Sequence, residues 1–171
     1  PIISPIYGIL DKNYKKEEVI TRREIKITSN RDKVDLDSVI ENPMMPCVAR
    51  AVIENDLGAK QDERQAMWRN AEFKPASFEV VKTDSCYVVD IAYETIGEAA
   101  DIRMKYEVYA DGAIAVTETL SDAGKLAEAP HMPRFGVDFA MNGEYSTFEF
   151  FGMGPHENYV DRVSSTLMDH Y

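Results

Sequence analysis

The amino-acid sequence predicts an all-β fold, an antiparallel β-sandwich carrying one short helix. Three observations carry that prediction. Apolar and polar residues alternate with a period of two over Ile102–Val108 and again over Phe135–Met141, the pattern of strands with one buried face. The dipeptides Asp111-Gly112 and Asn142-Gly143 follow those runs, and such pairs make tight hairpin turns. Short strands at regular spacing, joined by turns of this kind, build sandwiches.

The elements follow in chain order. Residues 1–46 read differently from the rest: an apolar, turn-rich opening (PIISPIYGIL), a mixed-charge stretch of ambiguous periodicity, then a polar stretch closed by Pro43 and Pro46. They are read as a terminal arm or the tail of a preceding domain, with a boundary at 46/47. Ala59–Asn70 is the one helix, with Ala66, Met67 and Trp68 inward and Asp62, Glu63 and Arg64 toward water. Phe78–Lys82 and Tyr87–Tyr93 are strands around a turn at Thr83–Ser85. Ile102–Val108 and the run through Ile114 and Val116 form the clearest hairpin. After a polar link, Ser121–Pro130, the strand over Phe135–Met141 turns at Asn142-Gly143 and pairs back through Ser146–Phe151.

Composition sets bounds. The 171 residues are 44% apolar, enough for a core and too much for wholesale disorder. No apolar run approaches the roughly 20 residues that cross a bilayer. The net charge is −11, and all of it falls after residue 46. An acidic domain disfavours nucleic acid and anionic membranes as partners, which need a cationic face. Pro1–Leu10 does not read as a secretory signal, and the compartment stays open between cytoplasm and periplasm. Cys47 and Cys86 have neither metal nor redox spacing and are read as buried free thiols.

Two segments concentrate polar chemistry. In Glu54-Asn55-Asp56 two carboxylates flank an amide, a set that accepts sugar hydroxyls, binds a hard cation or caps the following helix. In Phe151–Arg162 (FGMGPHENYVDR), Gly152, Gly154 and Pro155 crowd a turn behind an apolar run, and His156, Glu157, Asn158, Asp161 and Arg162 follow. Adjacent residues on an extended chain point to opposite faces, so His156 and Glu157 make poor joint metal ligands. No second histidine stands at helical spacing. Framework roles fit Glu157, Asp161 and Arg162 better than chemistry. Trp68, Phe148, Phe150 and Phe151 read as core before sugar platform, and Ser164 and Ser165 lack a nucleophile-elbow setting.

Three motifs in order resemble one family. Phe151–Arg162 is similar to a G-x-G-P-x-E-N-Y-x-D-R signature of the C-terminal domain of β-galactosidases of glycoside hydrolase family two. Met132–Gly136 (MPRFG) resembles that domain's strand start, and Arg50–Gly58 (RAVIENDLG) its R-A-P-T-D-N-D-x-G loop. The resemblance spans about residues 47–171, the first part of the family's domain. It implies half of a galactose-mutarotase-like supersandwich. It also implies that Glu54, Asn55, Asp56 and Gly58 lie beside the galactoside pocket of a catalytic barrel, with Gly58 a hinge and Ala59–Arg64 the moving part. Arg50, His156, Glu157, Asn158, Asp161 and Arg162 are then framework. Departures are visible: Val48-Ala49 stands where the family has an aromatic pair, Val52-Ile53-Glu54 replaces Pro-Thr-Asp, and Val160 replaces a proline.

The family's catalytic carboxylates sit on the barrel, so the resemblance implies an accessory domain that is inactive alone. The family's Mg²⁺ and Na⁺ sites involve other domains, so no cofactor is assigned to this chain. The implied partners are the barrel and, through it, a galactoside. A truncated sandwich leaves strand edges open, so homo-oligomers are also expected. A carbohydrate-binding module and a purely structural or interaction domain are the alternatives.

Overall fold

A computed structural model describes residues 18–26, 40–156 and 160–171. The strands are β1 (Glu18–Lys26), β2 (Ile40–Cys47), β3 (Pro75–Lys82), β4 (Cys86–Tyr93), β5 (Ala100–Tyr109), β6 (Ala113–Asp122), β7 (Gly136–Met141), β8 (Phe151–Gly154) and β9 (Leu167–His170). Between β2 and β3 lie three short helices, α1 (Glu54–Gly58), α2 (Gln61–Arg64) and α3 (Ala66–Arg69). Single 3₁₀ turns cover Leu126–Glu128 and Val160–Ser165. The fold is antiparallel all-β.

Five strands form one sheet in the order β1-β6-β5-β4-β3, while β2 pairs with β7 and β8 with β9. The alternation read from the sequence sets the central hairpin. Register runs from Ala100 opposite Asp122 to Val108 opposite Ile114. Ile102, Met104, Ile114, Val116 and Leu120 are buried on one face, while Arg103 is exposed. The connecting turn works as its dipeptide requires. Gly112 takes a φ of +86°, and Asp111 Oδ1 accepts the Ala113 N–H at 3.1 Å.

A second layer covers that face. Met44 of β2 is buried in the core with Trp68, Tyr93, Ile102, Met104 and Val116, and Val137, Phe139 and Met141 of β7 pack against the same cluster. Each such side chain, fully buried, stabilises the fold by about 1.5–3 kcal/mol. Two tyrosines join the layers. The Tyr106 hydroxyl donates to the Met44 carbonyl at 2.8 Å, and the Tyr93 hydroxyl lies 3.7 Å from Met45 Sδ.

Three local expectations are corrected. The single helix over Ala59–Asn70 is instead broken into the short helices α2 and α3, because Lys60 adopts a left-handed φ of 54° and Gln65 a ψ of 14°. The strand ending at Met141 does not turn back on Ser146–Phe151. Its partner is β2, while Asn142 makes a local turn, its side chain accepting the Glu144 N–H at 3.0 Å. Pro43 and Pro46 do not close a loop; both lie within β2, whose register shifts twice. A two-strand ribbon with bulges tolerates residues that cannot donate to the ladder. Strand β2 crosses the 46/47 division, and β1 pairs along its whole length with β6.

Candidate functional site

The turn after β2 is organised by one ion pair. Arg50 Nη1 donates to Asp56 Oδ2 at 2.6 Å and Nη2 donates to Oδ1 at 2.9 Å, the two-pronged geometry in which guanidinium–carboxylate pairs are strongest. Arg50 Nη1 also donates to the Ala51 carbonyl at 2.9 Å. Asp56 Oδ2 accepts the Ile53 N–H at 3.0 Å. Asp56 is the third residue of α1 and Ile53 its N-cap, so this contact is the reaching-back half of a capping box. The guanidinium, then the Ile53 amide, hold the Asp56 carboxyl below its usual value, against the smaller opposing effect of burial. Asp56 is thus a fixed anchor.

Around that anchor the turn faces outward. Glu54 and Asn55 are exposed, and so are three apolar side chains: Val52, Ile53 at 54% and Leu57 at 53%. Gly58 closes α1, where an added Cβ would meet nothing within 4 Å. The strained backbone lies two residues later, at Lys60. Behind the turn, Trp68 is 1% exposed, and its Nε1–H donates to the Pro130 carbonyl at 2.8 Å. That bond fastens the helical segment to the β6–β7 connection.

The second motif is placed in part. His156 is exposed just after the cis Gly154–Pro155 bond. Glu157 and Asn158 lie outside the described residues, as does the side chain of Asp161, whose backbone belongs to the 3₁₀ turn over Val160–Ser165. Arg162 is exposed. Gly154 serves space rather than an unusual dihedral: a Cβ there would stand 2.8 Å from the Tyr171 ring and 3.2 Å from that of Phe150. Phe148 and Phe150 stack at 5.6 Å, Phe150 and Tyr171 at 5.3 Å, and Phe148 and Phe151 are exposed, not core. Trp68 is core, as its sequence context suggested. Cys47 and Cys86 are free and half-buried.

Two polar residues escaped the sequence reading. Glu118 is buried on the core face of β6, opposite Met104. The signal was available: it interrupts the alternation of Ile114, Val116 and Leu120. Arg134 lies beside Cys47, Nη1 to Sγ being 4.0 Å, and its Nε is buried without a hydrogen-bond partner among the described residues. Among the described residues no three His, Cys, Asp or Glu side chains converge as a metal cluster.

Comparison with known proteins gives this arrangement a family. The model of the β-galactosidase small chain matches residues 16–171. Curated β-galactosidases align with the chain. That of Lactobacillus delbrueckii subsp. bulgaricus is 34% identical over 126 residues, 71% of this chain and 12% of the relative. That of Halalkalibacterium halodurans is 30% identical over 133 residues, 76% of this chain and 13% of the relative. That of Priestia megaterium is 30% identical over 144 residues, 83% and 13% respectively. The chain spans about an eighth of the length of these relatives. It belongs to the β-galactosidase small-chain family.

Proposed function

We propose that this chain is an accessory domain of a β-galactosidase, which walls the galactoside pocket with Glu54–Arg64 and stabilises the catalytic barrel by packing on it. The observation that carries this reading is the Arg50–Asp56 pair, which preforms a turn whose outer surface mixes Glu54 and Asn55 with Val52, Ile53 and Leu57. Clustered apolar side chains around a rigid polar turn suit a face that another domain covers. Glu54 and Asn55 supply acceptors and donors for sugar hydroxyls, and the backbone at Gly58–Lys60 absorbs a shift of the segment that follows. His156, Glu157, Asn158, Asp161 and Arg162 act as framework.

Hydrolysis with retention needs two carboxyl groups about 5 Å apart. Asp56 is committed to Arg50, so in this reading the reacting pair belongs to the barrel. No cofactor is assigned to this chain; metal sites involve other domains.

A carbohydrate-binding module is the second reading, favoured by the row of Phe148, Phe150 and Tyr171, whose outer ring, Phe148, is exposed. The deciding experiment is hydrolysis of a chromogenic β-galactoside by the chain alone and mixed with a barrel-containing portion. The accessory-domain reading expects no turnover alone and recovery on mixing. Turnover by the chain alone, or no recovery together with saturable galactose binding that Phe148→Ala removes, would overturn it.

A further inference from the structure

Among the described residues β3 has one strand neighbour, β4, so its outer edge presents unpaired N–H and C=O groups. All eight residues of β3 are exposed, Phe78 at 63% and Val80 at 51%. Phe78, Val80 and Lys82 stand opposite Ile91, Val89 and Tyr87 of β4. Ile91 and Val89 in turn stand opposite Met104 and Tyr106 of β5. The outer edge therefore continues the apolar face that β5 and β6 bury.

We propose that two copies of this chain pair edge to edge through β3, antiparallel, about a two-fold axis at Val80. Symmetry restricts the choice. A two-fold relating neighbouring antiparallel strands must run perpendicular to the sheet, so it keeps both apolar faces on one side and passes through a residue position. An axis at Phe78 would carry a ladder of the same length into Ala76, beside Pro75, where the β3–β4 register is already irregular. An axis at Glu79 sets two carboxylates directly opposite, which is destabilising. An axis at Val81 draws in the Thr83–Ser85 turn, which Thr83 Oγ1 holds by accepting the Cys86 N–H at 3.0 Å.

Over the five residues Phe78–Lys82 the axis at Val80 has none of these faults. Val80 meets Val80, Phe78 meets Lys82 and Glu79 meets Val81, with no like charges opposed. Lys82 Nζ already stands 5.6 Å from the Tyr87 ring centre, and the partner's Phe78 would give this cation a second aromatic face. That self-complementarity argues for a second copy rather than a foreign strand. Pairing one short strand buries less than the roughly 800 Å² per partner of standard interfaces, so the dimer is weak and concentration-dependent. The charge of −11 on each copy opposes it, so salt should strengthen it.

Sedimentation velocity on the 171-residue chain, over a wide concentration range at low and high salt, tests the inference. The expected result is a monomer–dimer equilibrium that shifts toward dimer with salt. Val80→Lys places two ammonium groups on the axis at an exposed site and should return the monomer with an unchanged circular dichroism spectrum. Val80→Cys, in a Cys47→Ser, Cys86→Ser background, should oxidise to a covalent dimer. A monomer at every concentration, or a dimer that Val80→Lys leaves intact, overturns it.

Discussion

Asp56 accepts two hydrogen bonds from one guanidinium and one from a backbone amide, so its ionised form is what the turn is built around. Its pKa is lowered by folding. The stabilisation is therefore present above the ordinary carboxylate pKa of about 3.9 and is lost as pH falls through the lower folded value. Amide hydrogen exchange at Ile53 should accelerate as pH falls below that range, once the intrinsic rate is divided out. Arg50→Ala should raise exchange there even at neutral pH and flatten the acid dependence. Much of this was legible, because Arg50 and Asp56 both fall in one motif. That Asp56 caps Ile53 from inside the helix, and that Ile53 and Leu57 face outward, was not. Those outcomes depend on where the turn leaves β2, a tertiary matter.

At the scale of elements, Trp68 decides how the helical segment sits. Its ring is enclosed by the core, and its N–H is satisfied by a carbonyl 62 residues away in sequence. Trp68→Phe should keep most packing but leave the Pro130 carbonyl without that donor, costing about 1 kcal/mol. Trp68→Ala should cost roughly 3–5 kcal/mol. Urea unfolding followed by circular dichroism separates the two. The inward position of Trp68 was readable from helical periodicity. The breaks at Lys60 and Gln65 were not, since neither residue type signals a left-handed or off-helix backbone. Likewise Asn142-Gly143 marks a real turn, but dipeptide chemistry cannot say which strand follows it. The partner of β7 comes from some 90 residues upstream.

For the molecule as a whole, the decisive contact is between the five-stranded sheet and the β2–β7 ribbon. Tyr93 and Tyr106 span that junction, and both hydroxyls titrate above the ordinary phenol value, chiefly because burial disfavours the phenolate, with Glu118 adding to the shift. Folded pKa values raised in this way leave stability intact below about pH 10, the unfolded tyrosine pKa, and remove it as pH climbs toward the folded values. Alkaline titration should therefore show a late phenolate absorbance step coinciding with unfolding. Tyr106→Phe should diminish that step while losing the bond to Met44. The sandwich class was visible in alternation and turn spacing, which are local. Its layering was not, because β1 and β2 come from a stretch whose composition resembles an arm rather than a sheet.

Trp68 has one more consequence. It is the single tryptophan of the chain, so tryptophan emission arises from one ring, set where the helical segment meets the core. Any event that loosens this joint, whether a bound molecule or acid, is written into one emission spectrum. The chain needs no attached dye to announce that its turn has moved.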